Sequence, residues 1–189
     1  HNPNRKQLSR ILSSMVKDIR GKKVLDAGCG AGTDCKMLIK KGAKVVGIDI
    51  SQKMIEMAKD RCKKYEISFY ARDMEKTGFK DKEFDVIIAV FSVLYKKDLD
   101  EVIKEFRRIL KKNGELYLVV SHPIRKMMKY TKNYFDTGKH WENFGKMKFF
   151  NFYRTMEEYM NALSSHGFVI KEIREPKPVK TSENSFPMY

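Results

Sequence analysis

The residues with the clearest capacity for chemistry stand in one short run, Asp26-Ala27-Gly28-Cys29-Gly30-Ala31-Gly32. Glycines at alternate positions let a backbone turn sharply and let a ligand lie against bare peptide. A second acidic residue, Asp49, stands 21 positions beyond Gly28, about where a carboxylate meets the two hydroxyls of an adenosine ribose. The spacing is not that of a dinucleotide fingerprint, which reads G-x-G-x-x-G and rests a pyrophosphate on a helix N-terminus. Here the run is G-x-G-x-G, and Asp26 precedes its first glycine by two residues. A carboxylate at that place repels a pyrophosphate and suits a cationic ligand.

The elements that must position these residues follow from the apolar pattern. Residues 4–19 predict a helix, with Leu8, Ile11, Leu12, Met15, Val16 and Ile19 at helical spacing. Val24–Ala27 predicts a strand running into the glycine turn, followed by a helix over Thr33–Lys41 that Gly42 ends. Lys44–Ile50 predicts a second strand, after which Ser51 caps a helix to about Lys63. Ile67–Ala71 and the almost continuously apolar Asp85–Phe91 predict the third and fourth strands. Asp98 and Glu101 form a capping pattern for a helix to Lys112 that Asn113–Gly114 ends, and Glu115–Ser121 predicts a fifth strand. Residues 122–152 are basic and aromatic with little periodicity. Thr155 and Glu158 then cap a helix ending at His166–Gly167, and Phe168–Glu175 predicts a sixth strand. The expected architecture is α/β: a single Rossmann-like, doubly wound domain with a mostly parallel sheet. Its expected parts are an N-terminal helix (1–20), a ligand-binding core (21–121), an insertion (122–152) and a C-terminal helix and strand (153–189).

S-adenosylmethionine (SAM) has no phosphate and carries both an ammonium and a sulfonium, so the electrostatics at Asp26 favour it over NAD. The order of motifs supports the same ligand, because the chain resembles the class I SAM-dependent methyltransferases across about residues 20–175. Leu25–Gly32 is similar to the first signature of that family, Val46–Ser51 to the second, and Arg72-Asp73-Met74 to the loop that meets the adenine. Phe84–Ile88 followed by Val93-Leu94-Tyr95 resembles the fourth, and Leu110–Leu116 the entry to strand five. The resemblance implies that backbone around Gly28, Cys29, Gly30 and Gly32 holds the methionyl part, with Asp26 nearby and Cys29 a packed thiol rather than a nucleophile. It implies that Asp49 takes the ribose diol, that Ile50 and Met54 flank the adenine, and that Asp73 accepts from the adenine amino group beside the Met74 amide. The carbonyl near Ala89 is implied for the methionyl ammonium, and S-adenosylhomocysteine (SAH) is the implied product. The family sheet closes with an antiparallel seventh strand. The present sequence stops at Phe186-Pro187-Met188-Tyr189, where that strand is only starting, so either the strand is truncated or another segment covers the edge of strand five.

Absences narrow the acceptor. The end of strand four, Ala89-Val90-Phe91-Ser92, is not the Asn/Asp-Pro-Pro-aromatic element that grips an amino nitrogen, and no cysteine follows strand four or five to attack a pyrimidine. Ser121-His122-Pro123 and Phe152-Tyr153-Arg154-Thr155 are similar to a small-molecule branch that carries "HP" after strand five and "Y-H-R-T" before the last helix. Phe152-Tyr153 stand where Tyr-His is common, and Leu94 where a His often follows strand four. Two proton acceptors are thereby replaced. His122 is the first candidate general base, with Tyr95, Tyr153 and His140 behind it. Residues 123–152 hold Met127, Met128, Tyr130, Tyr134, Phe135, Trp141, Phe144, Phe149 and Phe150 among lysines. Such a mixture can make an adaptable lid over an acceptor, stack on bases, or pack as a small satellite core.

The 189 residues carry 39 Lys plus Arg against 24 Asp plus Glu, a net charge of +15. That charge makes a polyanionic substrate worth weighing, but the lysine doublets are scattered and read as a solvated basic surface rather than a nucleic-acid groove. Cys29, Cys35 and Cys62 show neither C-x-x-C spacing nor histidines at ligand distance, so no metal is expected and a reducing cytoplasm is. No apolar run reaches the roughly 18 residues of a membrane span, and no signal-peptide pattern opens the sequence. It begins with His1 rather than Met, which leaves room for an upstream segment. The expected activity is methyl transfer from SAM to a small molecule by a monomer or homodimer. An RNA methyltransferase and a non-catalytic SAM-fold binding module are the alternatives.

Overall fold

A computed structural model describes residues 11–126, 131–144 and 147–175. Five strands form a parallel sheet: β1 (Lys23–Ala27), β2 (Lys44–Asp49), β3 (Ile67–Ala71), β4 (Phe84–Val90) and β5 (Leu110–Val119), in the order β3-β2-β1-β4-β5. The order reverses between β1 and β4, and in open α/β sheets that reversal opens a crevice at the carboxyl ends of the two strands.

Strand side chains alternate between two apolar layers, as a pleated sheet covered on both faces requires. Leu25, Ala27, Ile87 and Ala89 point into one layer, with Phe106 and Ile109 of helix α3 (Leu99–Ile109) and Tyr159 and Ala162 of helix α4 (Met156–Ser165). Val24, Val86 and Ile88 point into the other, with Leu38 of helix α1 (Thr33–Lys40), Ile55 and Ala58 of helix α2 (Gln52–Cys62), and Leu12, Val16 and Ile19. Local capping rules operate as read: Ser51 accepts from Met54 N, Asp98 from Glu101 N, and Thr155 with Glu158 forms a complete capping box.

Four expectations change. The chain is helical only over 11–15 among the described residues of its N-terminal segment; it bends at Asp18, whose φ is 50°, while Val16 and Ile19 remain buried. Residues 1–10 lie outside the description. Helix α3 ends at Ile109 rather than Lys112, because Leu110 turns extended, buries fully and pairs with Phe84 before the register resumes at Val86–Glu115. Asn113–Gly114 therefore lies in a bulge of β5, where a Cβ on Gly114 would stand 2.6 Å from Leu110 Cγ. Residues 168–175 form no strand among the described residues, and Val169 is 86% exposed. Among the described residues β5 is the sheet's edge, and the truncated seventh strand would fall in 176–189, outside the description. Finally, the insertion contains a hairpin, β6 (Gly138–Phe144) antiparallel to β7 (Met147–Tyr153). No helix of the described residues is long and apolar enough to cross a membrane.

Candidate active site

The glycine turn is held to strand β2 from two sides. Gly28 N and Cys29 N both donate to Ile48 O at 2.8 Å, and Gly30 N donates to Asp49 Oδ2 at 2.9 Å. Asp49 Oδ1 accepts from Ser51 N at 2.9 Å, so one carboxylate ties the turn to the start of α2. The three glycines serve different needs. A Cβ on Gly28 would stand 2.2 Å from Ser92 Cβ, because β4 ends directly beside the turn and Ser92 Oγ donates to Ala27 O at 2.7 Å. A Cβ on Gly32 would meet Cys62 Sγ at 3.1 Å and Ala58 Cβ at 3.2 Å, so this glycine lets α2 pack against the turn. Gly30, at φ 51°, has nothing within 4 Å of a would-be Cβ and borders open space.

Asp26 is almost wholly buried and accepts from Cys35 Sγ at 3.1 Å. Its neighbour Cys29 shares a hydrogen bond with Cys35; that bond, burial and the Asp26 charge together hold the Cys35 thiol well above its ordinary range. Cys35 is thus a packed, protonated thiol.

Around the crevice, Ile50 is 72% exposed and Met54 37% exposed, two apolar side chains left open beside Asp49. Met74 is buried, and Ala89 is fully buried one residue before β4 ends. Phe91, immediately after β4, holds a φ of 53°, an outlier for an aromatic residue of the kind that gathers at functional sites. Asp73 is engaged by a residue that sequence reasoning missed: Lys96 Nζ reaches both its oxygens at 2.7 and 2.8 Å and Glu75 at 3.2 Å. Burial pushes the Asp73 carboxyl up, but hydrogen bonds from Glu75 N and Lys96 outweigh it and hold the group below its ordinary value. The Lys96 carbonyl in turn accepts from Arg154, which ties the end of β7 to this loop.

The hairpin stands beside the turn Val93–Tyr95, with Tyr95 edge-on to Phe150 at 6.5 Å. Its inward side carries a polar set. Glu142 and Asn151 are 5% and 3% exposed and hydrogen-bonded to each other, and His140 stacks on Tyr153 at 4.3 Å. Asn151 Oδ1 has no hydrogen-bond partner among the described residues. A small cleft bounded by Leu94, Ser121, Pro123, Asn151, Tyr153 and Tyr159 opens next to this set. Burial, and secondarily the Glu142 charge, push the Tyr95 hydroxyl up, so at neutral pH it is a proton donor.

His122 lies just past the end of β5 with both ring nitrogens in contact. Its Nδ1 accepts from Ile124 N at 3.2 Å and its Nε2 sits 2.7 Å from Glu175 Oε1. The missed residues Glu142, Asn151 and Lys96 had no motif to mark them. They matter through contacts made across 9 to 23 positions.

A parallel sheet with its crevice at β1 and β4, a glycine turn without phosphate spacing and a carboxylate ending β2 define the catalytic-domain type, and comparison with known proteins agrees. The family model described as a methyltransferase domain matches residues 24–114. The ubiquinone biosynthesis O-methyltransferase of Pelagibacter ubique is 33% identical over 164 residues, covering 77% of this chain and 68% of that protein. A demethylmenaquinone methyltransferase of Tropheryma whipplei is 33% identical over 117 residues, and the chain spans 49% of its length. In structure, a Listeria monocytogenes protein described as an S-adenosylmethionine-dependent methyltransferase superposes with a TM-score of 0.79 at 26% identity, over 89% of this chain and 87% of that one. A Mesorhizobium loti structure shares the fold at a TM-score of 0.75 and 21% identity. The chain belongs to the class I SAM-dependent methyltransferases.

The residues present fit that cofactor. Open space over Gly30, the Asp49 carboxylate beside it, and exposed Ile50 and Met54 make a cradle with a polar end and an apolar flank.

Proposed function

We propose that the protein transfers a methyl group from SAM to a small-molecule acceptor seated between the end of β4 and the inward side of the β6–β7 hairpin. The observation that carries this is the Gly30–Asp49 cradle together with a hairpin that packs on the turn after β4 and buries Glu142 and Asn151. When bound, SAM supplies an electrophilic methyl group on a sulfonium. The residues around it bind, orient and exclude water, which suffices for much of the acceleration of an in-line displacement.

In this reading the turn at Gly28, Cys29 and Gly30 holds the methionyl part, and the buried Asp26 and the carbonyl near Ala89 favour its ammonium. Gly32 holds α2 in place. Asp49 takes the ribose diol, Ile50 and Met54 flank the adenine, and Asp73, beside Met74, meets the adenine edge while Lys96 holds its carboxylate. On the acceptor side, Tyr95 and Tyr153 orient the substrate. Glu142 is the group best placed by charge and burial to take a proton from an acceptor hydroxyl or amine, with Asn151 Oδ1 offering the second polar contact. The inward set accommodates a small polar head rather than a splayed nucleotide. This favours metabolites over RNA despite the charge.

Two measurements test the reading. Calorimetric titration should show SAH binding and no competing NAD binding; a preference for NAD would overturn the cofactor assignment. Incubation with labelled SAM and fractionated metabolites or RNA should place the label in the small-molecule fraction. Label confined to RNA would overturn the acceptor class.

A further inference from the structure

The β6–β7 hairpin is patterned inside out. Register sets Lys139 opposite Phe152, Trp141 opposite Phe150 and Asn143 opposite Lys148, so these six share one face of the ribbon. The other face carries His140, Glu142, Phe149, Asn151 and Tyr153, of which Glu142, Asn151 and Tyr153 are buried. The first face looks outward: Trp141 is 55% exposed, and Lys139 and Lys148 are exposed beside it. An exposed tryptophan flanked by two lysines is left outside while a carboxylate and an amide are covered. It marks a surface shaped for a partner.

The ring contacts indicate which partner. Lys139 Nζ lies 4.4 Å from the Phe150 centroid and 5.1 Å from that of Trp141, and Lys148 Nζ lies 5.1 Å from Trp141. Trp141 meets Phe150 edge-on at 5.5 Å, and Phe150 meets Phe152 edge-on at 5.8 Å. Ammonium groups and neighbouring edges thus occupy ring faces that nucleobases would need for stacking. What remains is an apolar ridge with two cations on flexible stems beside it. That combination suits the layer where acyl chains meet headgroups: rings and methylenes enter, and ammoniums stay with phosphate. The net charge of +15 adds attraction to a negative leaflet.

We propose that the outer face of the β6–β7 hairpin docks this protein onto an anionic lipid surface, with Trp141 in the interfacial layer and Lys139 and Lys148 on headgroup phosphates. Its inner face, over the acceptor cleft, stays with the domain. The docking stands independently of the methyl-transfer reading.

Trp141 is the only tryptophan of the chain, so its fluorescence reports the contact directly. The whole protein, first shown to be folded by circular dichroism, is titrated with vesicles of phosphatidylglycerol and phosphatidylcholine and, separately, of phosphatidylcholine alone. The anionic vesicles should shift the emission to the blue and carry the protein up in a flotation gradient, and high salt should reverse both. The double variant Lys139→Gln/Lys148→Gln, both at exposed positions, should lose roughly thirtyfold in partitioning while its circular dichroism in buffer stays unchanged. No shift and no flotation with anionic vesicles would overturn the proposal. So would a response to polyuridylate in place of vesicles, or a concentration-dependent dimer with emission already blue-shifted in buffer.

Discussion

The two halves of the crevice are built on opposite principles. On the cofactor side, backbone hydrogen bonds and close approaches from β2, α2 and the end of β4 converge on one short glycine run. On the acceptor side, the working groups come from a ribbon whose covered face is polar and whose open face is aromatic, held by contacts from Tyr95 and Arg154. The first half is a local construction that a short motif can specify. The second depends on which face of a ribbon the rest of the molecule covers, and that choice can be adjusted without touching the cofactor.

The strongest challenge to this division is Gly28→Ala. A Cβ there meets Ser92 at 2.2 Å on a backbone with φ 79°, and the variant should lose about 2–4 kcal/mol of stability and SAH binding with it. Gly30→Ala, with open space instead, should lose only about 1 kcal/mol by thermal melting. Equal effects at the two positions would remove the steric distinction. Asp49→Ala deletes the acceptor for Gly30 N and Ser51 N and should weaken SAH binding by about 10–100-fold in calorimetry.

Glu142→Gln sharpens the other half. Turnover of the acceptor found by the labelling screen should fall by about 100-fold or more with SAH affinity unchanged. His122→Ala should leave turnover within about threefold, since both its nitrogens are engaged; the reverse ranking would return the base to His122. The smallest effect belongs to Lys96→Met. Asp73 has a depressed carboxyl, so its stabilising pairing with Lys96 is complete above about pH 4 and fades as pH falls further through the folded-state value. The variant should melt a little lower at pH 7, and the gap to the parent protein should close as pH falls below the ordinary carboxylate range.

How far each feature was legible follows from the range over which its cause acts. Strand β3 and the caps at Ser51, Asp98 and Thr155 were readable because an N-cap is satisfied within three residues. The end of α3 was not, because Leu110 leaves the helix to pair with Phe84, 26 positions away. Phe168–Glu175 has strand-like residues but finds no neighbour to pair with, so propensity alone misled. The hairpin was hidden by its inversion: alternation exists, but with Glu142 and Asn151 covered and Trp141 open, and a polar inward face does not register as a strand's buried side.

By itself the order of residues determined the βα alternation, the glycine turn, the carboxylates at Asp26 and Asp49 and thus the kind of ligand favoured, because turn chemistry, capping and charge sign act over a few positions. Only the tertiary structure decided that Asp26 is buried against Cys35, that Lys96 holds Asp73, that His122 meets Ile124 and Glu175, and that Glu142 and Asn151 are buried together. Those outcomes depend on which distant side chains the packed sheet brings within hydrogen-bond reach, and no local pattern encodes that distance.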